Sequence, residues 1–317
     1  MKQPGHDSDA LERARIHWDD WQRSQPANQN VYTDWGDHPT VFRAVMRHAL
    51  GGESENFFTF LQKNYPSCAT GHALSLCCGD GAFEQQLLER GVFFQITGLE
   101  LSPERIAQGR ARMSAQNAMR LDFLEKDVNQ GEFGKCLFDV IFAKAALHHI
   151  QNLEGAFDGM VRSLKPGGLL VTIDFFGPSR FQWTDLQLQA CNEFWREHVP
   201  PALQREADGT LTPLITRPRV EDMVLMDPSE AARSNELQAM IYKYFDVLED
   251  RALGGALLNL LLYGHRVNRF DAMDPVHNDV LERAVAKERN LMAQGLLSSD
   301  FRFIVARAKP WWRRFMR

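Results

Sequence analysis

The stretch ALSLCCGDGAFE, residues 73–84, indicates the type of fold that this chain adopts. It joins a short apolar run to Gly79 and Gly81, and then to a helical pattern that ends at Gly91. A strand, a tight turn and a helix in this order predict the first half of a βαβ unit. In a doubly wound sheet, ligands bind at the carboxyl ends of the strands, so a binding site is expected at the turn after this strand.

Strand and helix patterns continue to alternate beyond this stretch. Ser102-Pro103-Glu104 predicts a helix start, because it supplies a hydroxyl cap, a proline in the first turn and an acid near the positive helix end. Further apolar runs lie at 93–99, 121–124, 138–143 and 169–175. Runs that are apolar on both faces are typical of parallel strands covered by helices on both sides. We therefore predict an α/β fold with a doubly wound, mostly parallel sheet.

Composition narrows the class of protein. The 317 residues are 44% hydrophobic and 24% charged, with a net charge of -5, so no general positive field favours nucleic acid. The chain shows neither an apolar leader nor a run long enough for an integral membrane segment, and we expect a cytoplasmic protein. Its five cysteines form no C-x-x-C pair, which favours a reducing compartment and predicts no metal site.

Two acids follow successive strands at the expected binding edge. Glu100 ends the second strand, where a carboxylate would accept hydrogen bonds from ribose hydroxyls, although it could also be a solvated loop acid. Asp127 and Val128 follow the third strand and could recognise adenine through a carboxylate and a backbone amide, or could simply cap a loop. Glu84 stands where a nicotinamide dinucleotide fingerprint needs its third glycine, which disfavours that cofactor.

Five motifs in register make residues 72–174 resemble a class I S-adenosylmethionine-dependent methyltransferase. The motifs are ALSLCCGDGAFE, GLELSPERI, EKDV, FDVIFAKAALHHI and LKPGGLLVTIDF. The resemblance implies a Rossmann-like sheet of seven strands with an antiparallel last strand, S-adenosyl-L-methionine as co-substrate, and methyl transfer. The cofactor-binding residues that it implies are Cys78, Gly79, Gly81, Glu100, Leu101, Asp127, Val128 and Lys144.

The first motif departs from the family pattern at two positions. Ser75 stands where the family usually has an acid, and Cys77 stands where it has its first glycine. We expect an altered contact with the amino group of the methionyl moiety and retained cofactor binding, because serine still forms hydrogen bonds and cysteine is small.

Two groups of side chains are candidates for work beyond cofactor binding. His148 and His149 follow the fourth strand, and a histidine there is suited to take a proton from an acceptor, with His148 slightly favoured. Alternatively, one of them caps the next helix or packs under the loop. Aromatic residues in the N-terminal part, with Tyr32 and Trp35 the best placed, either contact the cofactor or pack on the sheet edge.

The patterns divide the chain into five segments. They are a helical N-terminal extension at 1–70, the cofactor-binding core at 71–176, a helical insertion over the acceptor at 177–227, the completion of the core with a second helical insertion at 228–309, and a basic aromatic tail at 310–317. Within the first insertion, residues 177–183 are the leading candidate for an acceptor-pocket segment.

The resulting hypothesis is an S-adenosylmethionine-dependent methyltransferase that acts on a hydroxyl of a small-molecule or carbohydrate acceptor. Two helical insertions indicate a covered pocket that keeps water out. The alternative is a non-catalytic scaffold or regulator that binds the same cofactor, and the changes at Ser75 and Cys77 motivate it. No oligomeric state is indicated.

Overall fold

A computed structural model of the chain describes residues 8–24, 32–52, 56–206 and 208–310. Seven strands in these parts form one sheet: β1 (His72–Leu76), β2 (Gln95–Glu100), β3 (Leu121–Glu125), β4 (Phe138–Lys144), β5 (Leu164–Phe175), β6 (Phe245–Gly254) and β7 (Phe301–Ala308). Their spatial order is β3-β2-β1-β4-β5-β7-β6. Strands β1 to β5 pair in parallel, and β7 pairs antiparallel with both β5 and β6. The predicted doubly wound, mostly parallel seven-stranded sheet is confirmed.

Twelve α-helices lie in the described parts of the chain. They are α1 (Ser8–Ser24), α2 (Pro39–Leu50), α3 (Phe57–Asn64), α4 (Ala82–Glu89), α5 (Pro103–Arg112), α6 (Ala115–Ala118), α7 (Leu153–Ser163), α8 (Asp185–His198), α9 (Val220–Met226), α10 (Leu237–Tyr244), α11 (Leu258–Leu261) and α12 (Pro275–Ala293). None of them has the length and apolar character needed to cross a membrane. Residues 311–317, which make up most of the predicted basic aromatic tail, lie outside the described parts.

Apolar side chains cover both faces of the sheet. One cluster joins the sheet to α2, α3 and α4 through residues such as Val41, Phe60 and Leu87, and the other joins it to α7 and α10 through Phe157 and Ile241. Burial on both faces explains why the central strands read as continuous apolar runs. Helices do not cover the ends of the strands in this way, and polar side chains lie there.

One local expectation was wrong. The helix that begins at Ser102 was expected to reach about Asn117 but ends at Arg112, because the Ser114 hydroxyl accepts a hydrogen bond from Asn117 N and starts a new helix. Among the described residues of 177–227, the segment predicted as a helical insertion, α8, α9 and a 3₁₀ turn at Ser179–Phe181 are helical. The described residues between α8 and α9 form turns and irregular chain, where prolines remove backbone donors that a helix needs.

Asp300, just before β7, is a buried carboxyl whose ionisation opposes folding. Its side chain accepts a hydrogen bond from Gln187 Nε2 at 2.8 Å. Burial raises the pKa of Asp300 to about 7, compared with roughly 3.9 for an exposed aspartate. Because the folded pKa is the higher one, the destabilisation is absent below about pH 4 and grows as the pH rises to about 7.

We expect Asp300→Asn to raise the free energy of unfolding by about 1–3 kcal/mol at about pH 8, because asparagine has no charge to bury. The gain should shrink as the pH approaches 4. Urea unfolding of parent and variant at several pH values measures the difference. Asp122→Asn, at an exposed strand position, is the matched control. A gain that is equal at both ends of the pH range would contradict the assignment.

Candidate active site

A large cavity lies at the carboxyl ends of the central strands. Its volume is about 1590 Å³, and its wall includes residues that follow β1, β2, β3, β4 and β5. Strand order reverses between β1 and β4, so the cavity occupies the crevice where doubly wound folds bind ligands. Among the sequence-predicted site residues, those that line it are Cys78, Glu100, Gly79, Leu101, Asp127, Val128, Lys144, Trp35, His148 and His149.

The turn after β1 presents its backbone to the cavity. Gly79 has φ of 61°, a conformation that residues with a side chain rarely adopt, and a Cβ there would lie 2.6 Å from the Arg105 guanidinium. Cys77 also lies in the left-handed region, with φ of 49°. The turn therefore keeps the conformation that a glycine would favour, although Cys77 replaces one. Gly81 begins α4, and a Cβ on it would lie 2.5 Å from Phe123 Cζ; its place is under the turn and not in the cavity wall.

Glu100 connects this turn to the end of β2. Its carboxylate accepts hydrogen bonds from Gly79 N at 2.8 Å and from the backbone amides of Leu101 and Ser102, both at 2.9 Å. Three backbone donors orient the carboxylate where it borders the cavity. A bound nucleoside would meet an oriented anion that accepts hydrogen bonds from its hydroxyl groups.

We expect Glu100→Ala to weaken binding of S-adenosylhomocysteine by about 1.5–3 kcal/mol, the range for hydrogen bonds to a charged group. Calorimetric titration measures the affinity, and a thermal unfolding scan checks that the turn still folds. Glu104→Ala, on the exposed first turn of α5, is the matched control. Unchanged affinity in a folded Glu100 variant would place the cofactor elsewhere.

The next edge of the crevice is formed after β3. Asp127 Oδ1 accepts hydrogen bonds from Asn129 N and Nδ2, at 2.9 and 2.8 Å, and caps the short turn that begins at Val128. Lys126 N donates to Glu100 O at 2.9 Å, so this edge lies beside the end of β2. The arrangement combines the capping role and the cavity position that the sequence left as alternatives for Asp127.

A buried acid stands beside the position where the first motif lacks one. Ser75 Oγ donates a hydrogen bond to Glu84 Oε1 at 2.7 Å, and the Glu84 carboxyl borders the cavity. Burial raises the pKa of Glu84 to about 7, against the hydrogen bond from Ser75. The acid that is absent from β1 is thus supplied from the first turn of α4. From the sequence, Glu84 was noted only because it stands where a nicotinamide dinucleotide fingerprint needs its third glycine.

His148 and His149 lie together at the end of β4. Their ring centroids are 4.1 Å apart. His148 Nδ1 is 2.6 Å from Asp174 Oδ1, and Asp174 also accepts hydrogen bonds from the backbone amides of Ala146 and Leu147. Asp174 therefore fixes both the loop and the ring, an arrangement that resembles the base and its orienting carboxylate in many active sites.

A segment that follows the first insertion completes this cluster. His148 Nε2 lies 3.6 Å from Glu230 Oε1, and His149 Nδ1 lies 3.1 Å from Ser229 Oγ. Arg180 donates to the backbone carbonyl of Glu230 at 2.7 Å and so holds the segment in place. Glu230 and Ser229 are more than 50 residues from β4 in sequence. They were not predicted as site residues, because no local motif marks them.

The electrostatics of the two histidines differ. Burial opposes the charged form of His148, but Asp174, followed by Glu230, raises its pKa to about 9. Burial and the neighbouring His148 hold the pKa of His149 well below its usual value. At neutral pH the pair therefore carries one positive charge, one proton more than two neutral rings, and this extra proton is shared by the coupled rings with His148 favoured.

Helix α1 covers the cavity from the N-terminal side. Trp18 contacts His149 edge to face at a centroid distance of 5.3 Å. The Arg105 guanidinium lies 4.8 Å from the ring centroid of Trp18 and 5.2 Å from that of Trp21. Tyr32, for which the sequence left a cofactor contact and packing as alternatives, packs on His38 and is absent from the cavity wall.

Aromatic residues also line the cavity. They are Trp35, Phe175, Phe181, Tyr263 and Phe301. Phe181 is the only cavity-lining residue from 177–183, the segment predicted to form the acceptor pocket. The second insertion contributes Tyr263, which sequence patterns did not single out. Lys144 Nζ lies 5.0 Å from the ring centroid of Phe83 and borders the cavity near Glu84.

Known proteins share this architecture. Residues 73–168 match the family model described as a methyltransferase domain. An uncharacterized methyltransferase of Synechocystis is 31% identical over 157 residues, which cover 48% of this chain and 70% of that protein. A malonyl-[acyl-carrier protein] O-methyltransferase of Ilyobacter polytropus is 29% identical over 34% of this chain, and the match spans only 41% of that relative's length.

A solved structure agrees at the level of the fold. The phosphoethanolamine N-methyltransferase 2 of Haemonchus contortus, in complex with phosphomonomethylethanolamine and S-adenosylhomocysteine, has a TM-score of 0.51 and 16% identity, covering 93% of this chain and 60% of that chain. Strand order, the crevice at the switch point and the sequence matches lead to one assignment. The chain belongs to the class I S-adenosylmethionine-dependent methyltransferases, with S-adenosyl-L-methionine as its co-substrate.

Proposed function

We propose that the protein transfers a methyl group to a hydroxyl of a small-molecule or carbohydrate acceptor. The observation that carries the proposal is the buried cluster of His148, Asp174 and Glu230, which faces the same cavity as the cofactor crevice. A hydroxyl becomes a good nucleophile when it loses its proton, and histidine and carboxylate side chains are the groups that take such a proton.

The residues at the carboxyl ends of β1 and β2 fit S-adenosylmethionine as the bound cofactor. Gly79 leaves its backbone open where a side chain would collide, and the Glu100 carboxylate accepts hydrogen bonds at the same edge. The cofactor supplies a methyl group that its sulfonium already activates. The protein's task is then to align the acceptor, exclude water and receive one proton at the neutral ring of the histidine pair or at the Glu230 carboxylate, because His148 already holds its proton at neutral pH.

The acceptor side of the cavity supports an uncharged ring-shaped molecule. Trp35, Phe175, Phe181 and Tyr263 provide broad apolar surfaces, which suit a phenolic ring or the apolar face of a sugar. Helix α1 and the second insertion both contribute walls to this space, through Trp18 and Tyr263. A concave pocket with walls from several elements favours a small acceptor over a folded protein or a nucleic acid.

The non-catalytic alternative has less support. A protein that only bound the cofactor would have no use for a buried carboxylate that orients His148, nor for Glu230 on its other side. Ser75 and Cys77, the residues that motivated this alternative, coexist with an intact left-handed turn and a substitute acid at Glu84.

Release of S-adenosylhomocysteine from S-adenosylmethionine, measured across a panel of acceptors, tests the proposal. The panel should contain phenols, sugars, amines and carboxylic acids of similar size. We expect turnover with a subset of the hydroxylated compounds. Transfer to amines or carboxylates alone would overturn the acceptor class. Tight cofactor binding without turnover on any acceptor would favour the non-catalytic scaffold.

A further inference from the structure

Three side chains at the acceptor end of the cavity direct ligand atoms at one another. His148 Nε2 lies 3.6 Å from Glu230 Oε1, and His149 Nε2 lies 4.0 Å from Glu230 Oε2. One ligand atom from each residue lies within 4.8 Å of the other two. Ligands of a tetrahedral zinc ion, each about 2.1 Å from the metal, lie about 3.4 Å apart, so small side-chain rotations would bring these atoms to coordinating positions.

The other nitrogen of each ring is already held by a partner. His148 Nδ1 is 2.6 Å from Asp174 Oδ1. His149 Nδ1 is 3.1 Å from Ser229 Oγ, and that hydroxyl donates to Asp227 Oδ1 at 2.6 Å. With Nδ1 directed outward to these partners, each ring turns its Nε2 toward Glu230, at 3.6 Å for His148 and 4.0 Å for His149. Histidines that bind metals are oriented in this way, by a carboxylate or another acceptor on the far nitrogen.

The charge around these atoms favours a cation. Asp174, Asp227 and Glu230 contribute three carboxylates to a space that is largely closed to solvent. Arg180 lies nearby, but its guanidinium donates to the backbone carbonyls of Glu230 and Pro228, both at 2.7 Å. The carboxylate oxygens that face the histidines are thus left to attract another positive group.

We propose that His148, His149 and Glu230 bind one divalent transition-metal ion, with Zn²⁺ the best match, and that its open position holds the acceptor hydroxyl. Two imidazoles and a carboxylate suit zinc better than magnesium, which prefers oxygen ligands. Three protein ligands with a fourth position open to a cavity are typical of catalytic zinc.

This inference rests on the proposed function, because it states how the acceptor hydroxyl is ionised. With the ion bound, the histidines serve as ligands and the ion replaces them as the group that ionises the hydroxyl. The hydroxyl oxygen binds the ion, which strongly lowers the pKa of the hydroxyl, and the proton passes to solvent. The oxygen lone pair then forms the bond to the methyl carbon, while the carbon–sulfur bond breaks and its electron pair stays on sulfur. The products are a methyl ether and neutral S-adenosylhomocysteine.

Titration of the full chain, freed of metal by a chelator, with ZnCl₂ tests the site without any acceptor. We expect one equivalent to bind, and Co²⁺ in its place to give the visible absorption of a low-symmetry site. His149→Ala and Glu230→Gln should each weaken Zn²⁺ binding by roughly 100-fold, because each removes one of three ligands. His265→Ala, an exposed histidine outside the cluster, is the matched control and should bind Zn²⁺ like the parent.

Titration with S-adenosylhomocysteine on the same samples separates the two proposals. Intact binding of S-adenosylhomocysteine together with no stoichiometric Zn²⁺ binding would overturn the metal site and leave the methyltransferase proposal standing. Zn²⁺ affinity that is unchanged in both ligand variants would also overturn it. Stoichiometric Zn²⁺ binding with no turnover on any hydroxylated acceptor would instead overturn the proposed function.

Discussion

Replacing His148 by alanine is expected to lower the turnover number by about 10²- to 10⁴-fold and to leave the affinity for S-adenosylhomocysteine unchanged. The ring lies between Asp174, at 2.6 Å, and Glu230, at 3.6 Å, where it faces the acceptor side of the cavity. The cofactor contacts are expected at Gly79 and Glu100, on the other side. The loss should therefore fall on the chemical step and spare cofactor binding.

Steady-state kinetics on an acceptor found in the panel, with calorimetry for the cofactor product, measures both quantities. A fall in kcat without a matching rise in KM for S-adenosylmethionine is the expected signature. His265→Ala is again the matched control, because this histidine lies outside the large cavity. If the His148 variant lost cofactor binding together with turnover, the residue would be a structural part of the loop.

The second large effect concerns stability, and Glu288 on α12 is its source. This carboxylate is 2% exposed and accepts hydrogen bonds from three backbone amides at the start of α11: Gly255 at 3.0 Å, Leu257 at 2.6 Å and Leu258 at 2.9 Å. No side chain within α11 caps its first turn. Glu288 of α12 therefore caps the start of α11 and links these two helices of the second insertion.

We expect Glu288→Ala to lower the free energy of unfolding by roughly 3–6 kcal/mol, since three buried amides lose their acceptor at about 1–3 kcal/mol each and partly recover bonds to water. Denaturant unfolding measures the loss. Glu282→Ala, on the exposed face of the same helix, is the matched control. If the alanine variant does not fold, Glu288→Gln, which keeps one acceptor oxygen, should show a smaller loss. Stabilities equal to the parent in both variants would contradict the capping role.

The core of the fold was predictable because its signals are local. The strand before Gly79, the cap at Ser102 and the apolar run of β4 are each contained in a few residues, and the fold follows from their order. The insertion at 177–227 was predicted as helical, and its described residues between α8 and α9 form turns and irregular chain. Elements distant in sequence hold this segment, as in the hydrogen bonds from Arg266 Nη2 to Pro213 O and from Arg269 Nη1 to Leu203 O.

The residues of the candidate site were likewise predictable only where their sequence signals are local. Glu100, Asp127 and His148 follow strands of the core, so their shared edge could be inferred from topology alone. Asp174 lies inside the motif LKPGGLLVTIDF, but no local pattern indicated that its carboxylate orients His148. Glu230 and Trp18 reach the cavity from a late loop and from α1, and only the folded arrangement brings them to His148 and His149.

The left-handed turn after β1 places a thiol in the cavity wall beside the expected cofactor position. Burial, and then the charge of Glu100, holds the pKa of Cys77 well above its usual value, so the sulfur remains protonated. A thiolate is a strong nucleophile, whereas the neutral thiol is a weak one. The environment that accommodates cysteine in place of glycine thus keeps this thiol in its weakly nucleophilic form, in which it is a poor competitor of the acceptor for the methyl group.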